Sequence, residues 1–281
     1  MKIDIKKTSL LCLVFIVSCT NMIKYPSSSS KISLAQLQEA IHLAKLSSLV
    51  YEKPDVFHTE ISDLTLFGRE KALKQNWFLQ TLDDKQVIGI QGTANLENVL
   101  VDANYFEKDD KLLGVKLHAG FRESAYLIYN KVEAELDKSK PITFTGHSLG
   151  AATATIMGMI AHAKGFRVKV INFGQPMVTD KEGSKKYKDF PNFRVVNQSD
   201  PVPRVPPVTL LSLIMGEYTH FGNELHLQGA GKYEYYLTGS GVGKLKNQFW
   251  RRIGELDLKN HFIKNYIANL NSISSRIQSA N

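Results

Sequence analysis

Apolar and polar positions alternate with different periods along the chain, and the periods predict its elements. Leu34, Leu37, Ile41 and Ala44 recur every three or four residues, which places them on one side of a helix. Ser33 and Gln36 precede that run at capping-box spacing, and the helix is expected to end near Tyr51, before Pro54. Two short β-rich runs, Trp77–Thr81 and Gln86–Ile90, flank Asp83 and Asp84 and read as strands paired across a turn. Further on the pattern predicts a helix near Asn98–Tyr105, a strand at Gly114–His118 and a helix from about Glu123 to Leu136. Pro141–Thr145, Val168–Phe173 and Phe193–Val196 read as strands. The nearly all-apolar Ala151–Ala163 reads as a helix, and a last helix starts near Asn260. Strands alternating with helices predict one α/β domain, a central, mostly parallel sheet covered by helices.

Composition adds little to that frame except at the N-terminus. Of 281 residues, 43% are hydrophobic and 22% charged, as in an ordinary globular chain. The net charge is +8, but no nucleic-acid-binding motif accompanies it, so nucleic acid is not an expected partner. Lys2, Lys6 and Lys7 precede the apolar stretch Leu10–Val17, which is too short to span a bilayer and reads as an export signal. The stretch ends in Ile16-Val17-Ser18-Cys19, which resembles a bacterial lipobox. On that reading residues 1–18 are a lipoprotein signal peptide, and Cys19 is acylated. Residues 19–32, with Ser27–Ser30, then form a flexible tether, and residues 33–281 form the domain. Because Thr20 is not the aspartate associated with inner-membrane retention, this predicts an outer-membrane anchor, with secretion or periplasmic residence as alternatives. The only other cysteine, Cys12, would leave with the signal, so no disulfide is expected.

The candidate chemistry centres on Gly146-His147-Ser148-Leu149-Gly150. A bare G-x-S-x-G arises by chance in roughly one chain in ten of this length. Here it lies between a predicted strand and a predicted helix, the setting of a nucleophile elbow. Such a tight turn projects the serine from the sheet edge, and Gly146 and Gly150 let neighbouring backbone approach closely. Ser148 is therefore the candidate nucleophile of an α/β-hydrolase fold, beside a helix N-terminus that favours negative charge.

A serine hydroxyl needs a base, and the base an orienting acid. Asp200 follows a strand and precedes Pro201, at the sheet edge where ligands of such folds gather. Asp180 and Asp189 flank a lysine-rich stretch and read as solvated charges. Among the histidines after Ser148, His162 lies within a helix, whereas His220 and His261 both remain candidates on physical grounds. His220 sits between Tyr218 and Phe221 in a β-like run, and His261 opens the last helix after a polar loop.

These blocks together resemble the class 3 lipase family over roughly residues 33 to 270. Gln91-Gly92-Thr93 resembles its oxyanion strand end, with Asp102 following, and His118-Ala-Gly-Phe121 resembles its His-x-Gly-Phe. The elbow at Gly146–Gly150, Phe173-Gly174-Gln175-Pro176 and Asp200-Pro-Val-Pro203 come next in family order. Tyr218-Thr-His220 with Glu224 then resembles one family strand, and His261–Tyr266 the terminal histidine region. The resemblance implies a triad of Ser148, Asp200 and His261, with His220 structural. It also implies an oxyanion hole from the backbone N–H of Leu149 and the N–H and hydroxyl of Thr93. Gln91 and Met177 stand where the family usually has arginine.

The implied reaction is hydrolysis of a lipid ester, of triacylglycerol lipase or phospholipase A1 type, through an acyl-enzyme. The alternatives are an esterase for small soluble or aryl esters such as feruloyl esters, and an inactive lipase-like scaffold that binds a partner. No cofactor and no metal ion are called for, and a monomer is assumed. The apolar stretch 205–215 and residues 95–110 are both candidate lids. Lys244, Lys246, Arg251 and Arg252 around Phe249 and Trp250 are a candidate patch for a membrane surface.

Overall fold

The structure, a computed structural model, describes residues 31–71, 74–93, 106–205, 217–237 and 257–279. It opens with helices α1 (Leu34–Leu49) and α2 (Pro54–Glu60), followed by strands β1 (Leu64–Glu70), β2 (Gln75–Thr81) and β3 (Gln86–Ile90). Then come β4 (Glu107–Asp110), β5 (Val115–His118), α3 (Ala119–Val132), β6 (Ile142–His147) and α4 (Leu149–Ala163). The middle continues with β7 (Val168–Phe173), β8 (Thr179–Asp180), α5 (Lys181–Lys186) and β9 (Asn192–Asn197). The described chain closes with β10 (Tyr218–Thr219), β11 (Asn223–Gly229), β12 (Lys232–Tyr236) and α6 (Ile263–Ser279).

Among these, eight strands form one sheet in the order β1-β2-β3-β6-β7-β9-β11-β12. The run from β3 to β11 is parallel, and β1, β2 and β12 add antiparallel edges. A small antiparallel sheet, β10-β8-β5-β4, lies apart from it. The fold is a single-domain α/β fold of the α/β-hydrolase kind, as the periodicity predicts.

Side-chain alternation divides the core into two layers. Trp77 and Leu79 of β2, Ile88 and Ile90 of β3 and Val170 of β7 pack with Phe121, Ile128 and Tyr129 of α3 and Ile156 and Met159 of α4. Their neighbours Phe78, Val87, Ile171 and Phe173 face the other way, onto Leu37 and Leu43 of α1 and Tyr266 and Leu270 of α6. Each such side chain, fully buried, contributes about 1.5–3 kcal/mol. Helix α4 is buried continuously from Gly150 to Ala161, which accounts for its near-uniform apolar sequence. The capping box at Ser33 forms: its hydroxyl accepts the Gln36 N–H, and the Gln36 side chain returns to the Ser33 N–H.

Three expectations are adjusted. Helix α3 starts at Ala119, four residues early, because the His118 side chain caps it by accepting the Phe121 N–H. It ends at Val132, and Glu133–Glu135 continue as a 3-10 turn. The block from Tyr218 to Glu224 is not one strand: Tyr218–Thr219 join the small sheet, Gly222 turns the chain at φ +82°, and Glu224 lies in β11 of the main sheet.

Several expectations lie outside the described residues. These are the signal peptide 1–18, the acylation site Cys19, the tether up to residue 30 and the helix at 98–105. Residues 95–105 of one candidate lid, 206–215 of the other and the basic patch at 244–252 lie outside them too.

Candidate active site

Parallel register sets the carboxyl ends of the central strands on one edge. Ile90 pairs with Gly146, His147 with Phe173, and Phe173 with Val195. The segments that leave these strands carry Gln91–Thr93, Ser148, Gly174 and Asp200, the edge at which ligands of such sheets bind.

Ser148 stands between β6 and α4 with φ 60° and ψ −129°, a strained backbone conformation for a residue other than glycine. Its N–H donates to the Phe173 carbonyl at 2.9 Å, which ties the turn to the neighbouring strand. A Cβ on Gly146 would lie 2.5 Å from the Gly150 carbonyl group, and one on Gly150 would lie 2.2 Å from the Ile90 carbonyl oxygen. Both glycines are therefore required by close backbone approach. Leu149 opens α4, so its N–H is among those a helix leaves without an internal acceptor.

The strand end at Gln91–Thr93 runs against this turn. A Cβ on Gly92 would meet the His147 carbonyl oxygen at 2.5 Å and the Ser148 Cβ at 3.0 Å. Thr93 is half-buried and follows directly. Gln91, in the position where arginine is common, is bound to β2. Its Oε1 accepts the Asn76 N–H at 2.9 Å, and its carbonyl accepts from Gln75 Nε2 at 3.0 Å. Met177, the other departure, is a buried apolar side chain.

Asp200 lies three residues beyond β9 and is fully buried. Its Oδ2 accepts from His261 Nδ1 at 2.8 Å and from the Tyr266 hydroxyl, while Oδ1 accepts the Val202 N–H at 2.8 Å. Burial by itself would raise the carboxyl pKa. The His261 charge and the bonds from His261, Tyr266 and Val202 together outweigh it and hold the group below its ordinary value. Burial and the neighbouring Asp200 push the Tyr266 hydroxyl well upward, so it stays a donor.

His261 ends a 3-10 turn, Leu258–His261, that Asp257 caps through the Lys259 N–H at 2.8 Å. That turn is fastened to the end of β9. Asn197 Nδ2 donates to the Asn260 carbonyl at 2.8 Å, and Asn260 Nδ2 donates to Ser199 Oγ at 2.8 Å. With Nδ1 facing a carboxylate, the ring proton belongs on Nδ1, which leaves Nε2 as an acceptor. Among the described residues no protein group hydrogen-bonds to Nε2, although it is buried. The imidazole lies 4.5 Å from the ring of His147, the residue before Ser148, and is tilted 34° to it. An acceptor nitrogen oriented by a carboxylate can take a proton from a hydroxyl, and Ser148 directly follows His147, whose ring lies 4.5 Å from that of His261.

The structure thus brings Ser148, Asp200, His261, Leu149 and Thr93 to one edge. His220 is elsewhere: its Nε2–H donates to the Pro203 carbonyl at 2.7 Å. His162 is exposed against Phe190, and His226 donates to the Gln198 carbonyl at 3.0 Å. Asp180 caps α5 through the Gly183 N–H at 2.7 Å, and Asp189 is exposed beside Lys188. The sequence assigns Tyr266 no role beyond its place in the His261–Tyr266 block, and Tyr51 reads only as a helix end. A hydroxyl within a turn and a half of His261 was the available signal for Tyr266; nothing local marks Tyr51.

The fold is that of an α/β-hydrolase, with Ser148 at the turn between β6 and α4 and with Asp200 and His261 joined at the same sheet edge. The chain matches the lipase (class 3) family model over residues 87–210. It is 30% identical over 156 residues to a secreted mono- and diacylglycerol lipase 1 of Fusarium solani, covering 51% of this chain and 44% of that protein. It is 29% identical over 144 residues to a lipase of Rhizomucor miehei, covering 46% and 40% respectively. The matched region thus spans less than half the length of either relative. A solved structure of Rhizomucor miehei triacylglyceride lipase superposes with a TM-score of 0.66 at 18% identity, over 82% of this chain and 94% of that one. A mutant form of MDLA from Penicillium cyclopium gives a TM-score of 0.62 at 21% identity, over 76% of this chain and 92% of that one. At these identities the superpositions speak to the fold alone.

The expected outer-membrane-anchored bacterial lipoprotein is corrected by these relatives, which are fungal and several of which are named as secreted. Among the described residues no helix is long and apolar enough to cross a membrane. The lipobox reading rested on four residues and a preceding apolar run, a short local pattern that the relatives outweigh.

Proposed function

We propose that the protein hydrolyses carboxylic esters through an acyl-enzyme on Ser148. His261 Nε2 takes the Ser148 proton as Oγ attacks the ester carbonyl, and the carbonyl oxygen gains the negative charge. The N–H groups of Leu149 and Thr93, with the Thr93 hydroxyl, receive that oxyanion; removing one such donor typically costs ~2.7–4 kcal/mol of transition-state stabilisation. As the tetrahedral intermediate collapses, the imidazolium gives its proton to the leaving alcohol and Ser148 keeps the acyl group. Water, deprotonated by the same nitrogen, then releases the acid and restores the hydroxyl. Asp200 fixes the Nδ1–H tautomer and stabilises the imidazolium at each step.

The observation that carries this reading is His261, buried, bound to Asp200 through Nδ1 at 2.8 Å and left with Nε2 as an acceptor at the elbow. Acylglycerols are the substrate class the relatives' names favour, and Phe262, directly after His261, is an exposed apolar side chain. Small soluble esters are the second reading, because nothing in the triad itself requires a long acyl chain.

Initial rates on p-nitrophenyl butyrate and palmitate, and on tributyrin below and above its solubility limit, separate the readings. An acylglycerol enzyme gives efficient long-chain turnover and a rate increase when tributyrin forms an emulsion. An esterase for soluble esters loses activity with chain length and shows no such increase. An absence of turnover on every ester would contradict both.

A further inference from the structure

A chain of hydrogen bonds, separate from the contacts of Asp200, joins the two sides of the candidate site. The Gly92 N–H donates to the Tyr51 hydroxyl oxygen at 3.1 Å, and the Tyr51 hydroxyl lies 2.9 Å from His147 Nδ1. On the other side of the ring, His147 Nε2 lies 2.7 Å from the His261 carbonyl oxygen. Chemistry fixes every direction. A carbonyl only accepts, so His147 carries its proton on Nε2; Nδ1 then accepts, and the Tyr51 O–H must donate to it. The Tyr51 oxygen remains free to accept from Gly92. Burial, then the charge of His261, pushes the His147 imidazole down to about 3, so it stays neutral and keeps this tautomer. Burial likewise raises the Tyr51 hydroxyl, which stays protonated.

The partners are 41, 96 and 114 residues apart in sequence, so the chain crosses four segments. It starts beyond the end of α1, touches the strand end that leads to Thr93, passes through the elbow and finishes on the backbone of the base. We infer that Tyr51 and His147 are positioning residues that set the distance between the oxyanion strand end and the base of the same reaction. The inference rests on the ester-hydrolase reading above. Gly92, held by its N–H, fixes where the next residue points its own N–H and hydroxyl. The His261 carbonyl, held from the elbow side by His147, fixes where the imidazole stands relative to the elbow. The His147 ring can lie 4.5 Å from that of His261 without opposing the imidazolium that forms there, because it is uncharged.

The bonds also bury polar groups, so a purely structural role is the competing account. Active-site titration with a fluorophosphonate separates the two, because it counts only sites in which Ser148 is competent. Tyr51→Phe keeps the ring and removes the hydroxyl. The expected result is a kcat per titrated site lowered about ten- to a hundredfold, with KM within about twofold, as a small misplacement of reacting groups produces. A kcat per titrated site within twofold of the unaltered protein would overturn the inference, even if yield or Tm fell.

His147→Gln supplies a second arm. The glutamine amide still donates to the His261 carbonyl but offers Tyr51 no nitrogen acceptor. Its effect should therefore largely vanish in a Tyr51→Phe background; independent, multiplicative losses would contradict a single chain. An unaltered protein that does not titrate at all, though folded, overturns the ester-hydrolase reading itself, a different result from a titrating protein indifferent to Tyr51.

Discussion

The nucleophile half of the proposed site is one continuous stretch, β6 into α4, shaped by backbone: a φ of 60° at Ser148 and two glycines packed against carbonyl groups. The acid–base half is assembled from side chains. Asp200, His261 and Tyr266 meet across 61 and 66 residues of sequence, and asparagine amides fasten the His261 turn to the end of β9. The first half has a steric specification, in which one added methyl group is intolerable. The second has a hydrogen-bond specification, in which shape is tolerant and donor count is not. The base can therefore be disabled by changing a single hydrogen-bonding group while the elbow keeps its shape.

The largest expected effect follows from that asymmetry. Asp200→Asn preserves shape but no longer enforces the Nδ1–H tautomer, and kcat is expected to fall about ten-thousandfold with the fold retained. Steady-state kinetics beside a thermal melt would check it; a loss below about a hundredfold would mean that Asp200 does not orient the base.

Gly150→Ala probes the steric half. In an ordinary helix, alanine would be favoured by about 0.8–1.0 kcal/mol. Here the new Cβ would sit 2.2 Å from the Ile90 carbonyl oxygen, and overpacking of that kind costs ~1–3 kcal/mol. The clash should win, so urea melts are expected to show net destabilisation together with lost activity. A stabilised, active Gly150→Ala protein would remove the steric half of the comparison.

Tyr266→Phe probes the hydrogen-bond half at smaller cost. It deletes one donor to a buried carboxylate, a bond to a charged group worth about 1.5–3 kcal/mol. The sign of its pH dependence follows from Asp200, whose folded pKa is depressed. The ionised form adds stability above the unfolded value near 4, and this is lost as pH falls through the folded value. Without the tyrosine donor the folded value rises. The stability gap between the two proteins is therefore expected to be full at neutral pH and to narrow in acid, in denaturant melts from pH 7 to 3. A gap that widened in acid would mean that Tyr266 does not favour the ionised carboxylate.

The same contrast explains what was legible in the sequence. The elbow, the capping box at Ser33 and the central strands are specified by residues close together in the chain, and each is where its local pattern places it. Edge strands were not legible. β1 alternates weakly because most of its residues are only partly buried, and β4 is four polar or charged residues, Glu107–Asp110. Helix α3 began early because a histidine, an uncommon cap, accepted the Phe121 N–H. Between His220 and His261 the residues alone left the base open, since the choice depends on which loop meets Asp200 across 61 residues. Tyr51 was invisible for the same reason: its partners, Gly92 and His147, lie on two other segments.

The central claim is that Ser148 is an activated nucleophile, and covalent labelling tests it most directly. A fluorophosphonate probe followed by peptide mass spectrometry is expected to modify Ser148 stoichiometrically. The Ser148→Ala protein should remain unlabelled, and Asp200→Asn should react far more slowly. A folded protein that stays unlabelled, or one labelled equally in its Ser148→Ala form, would contradict the account.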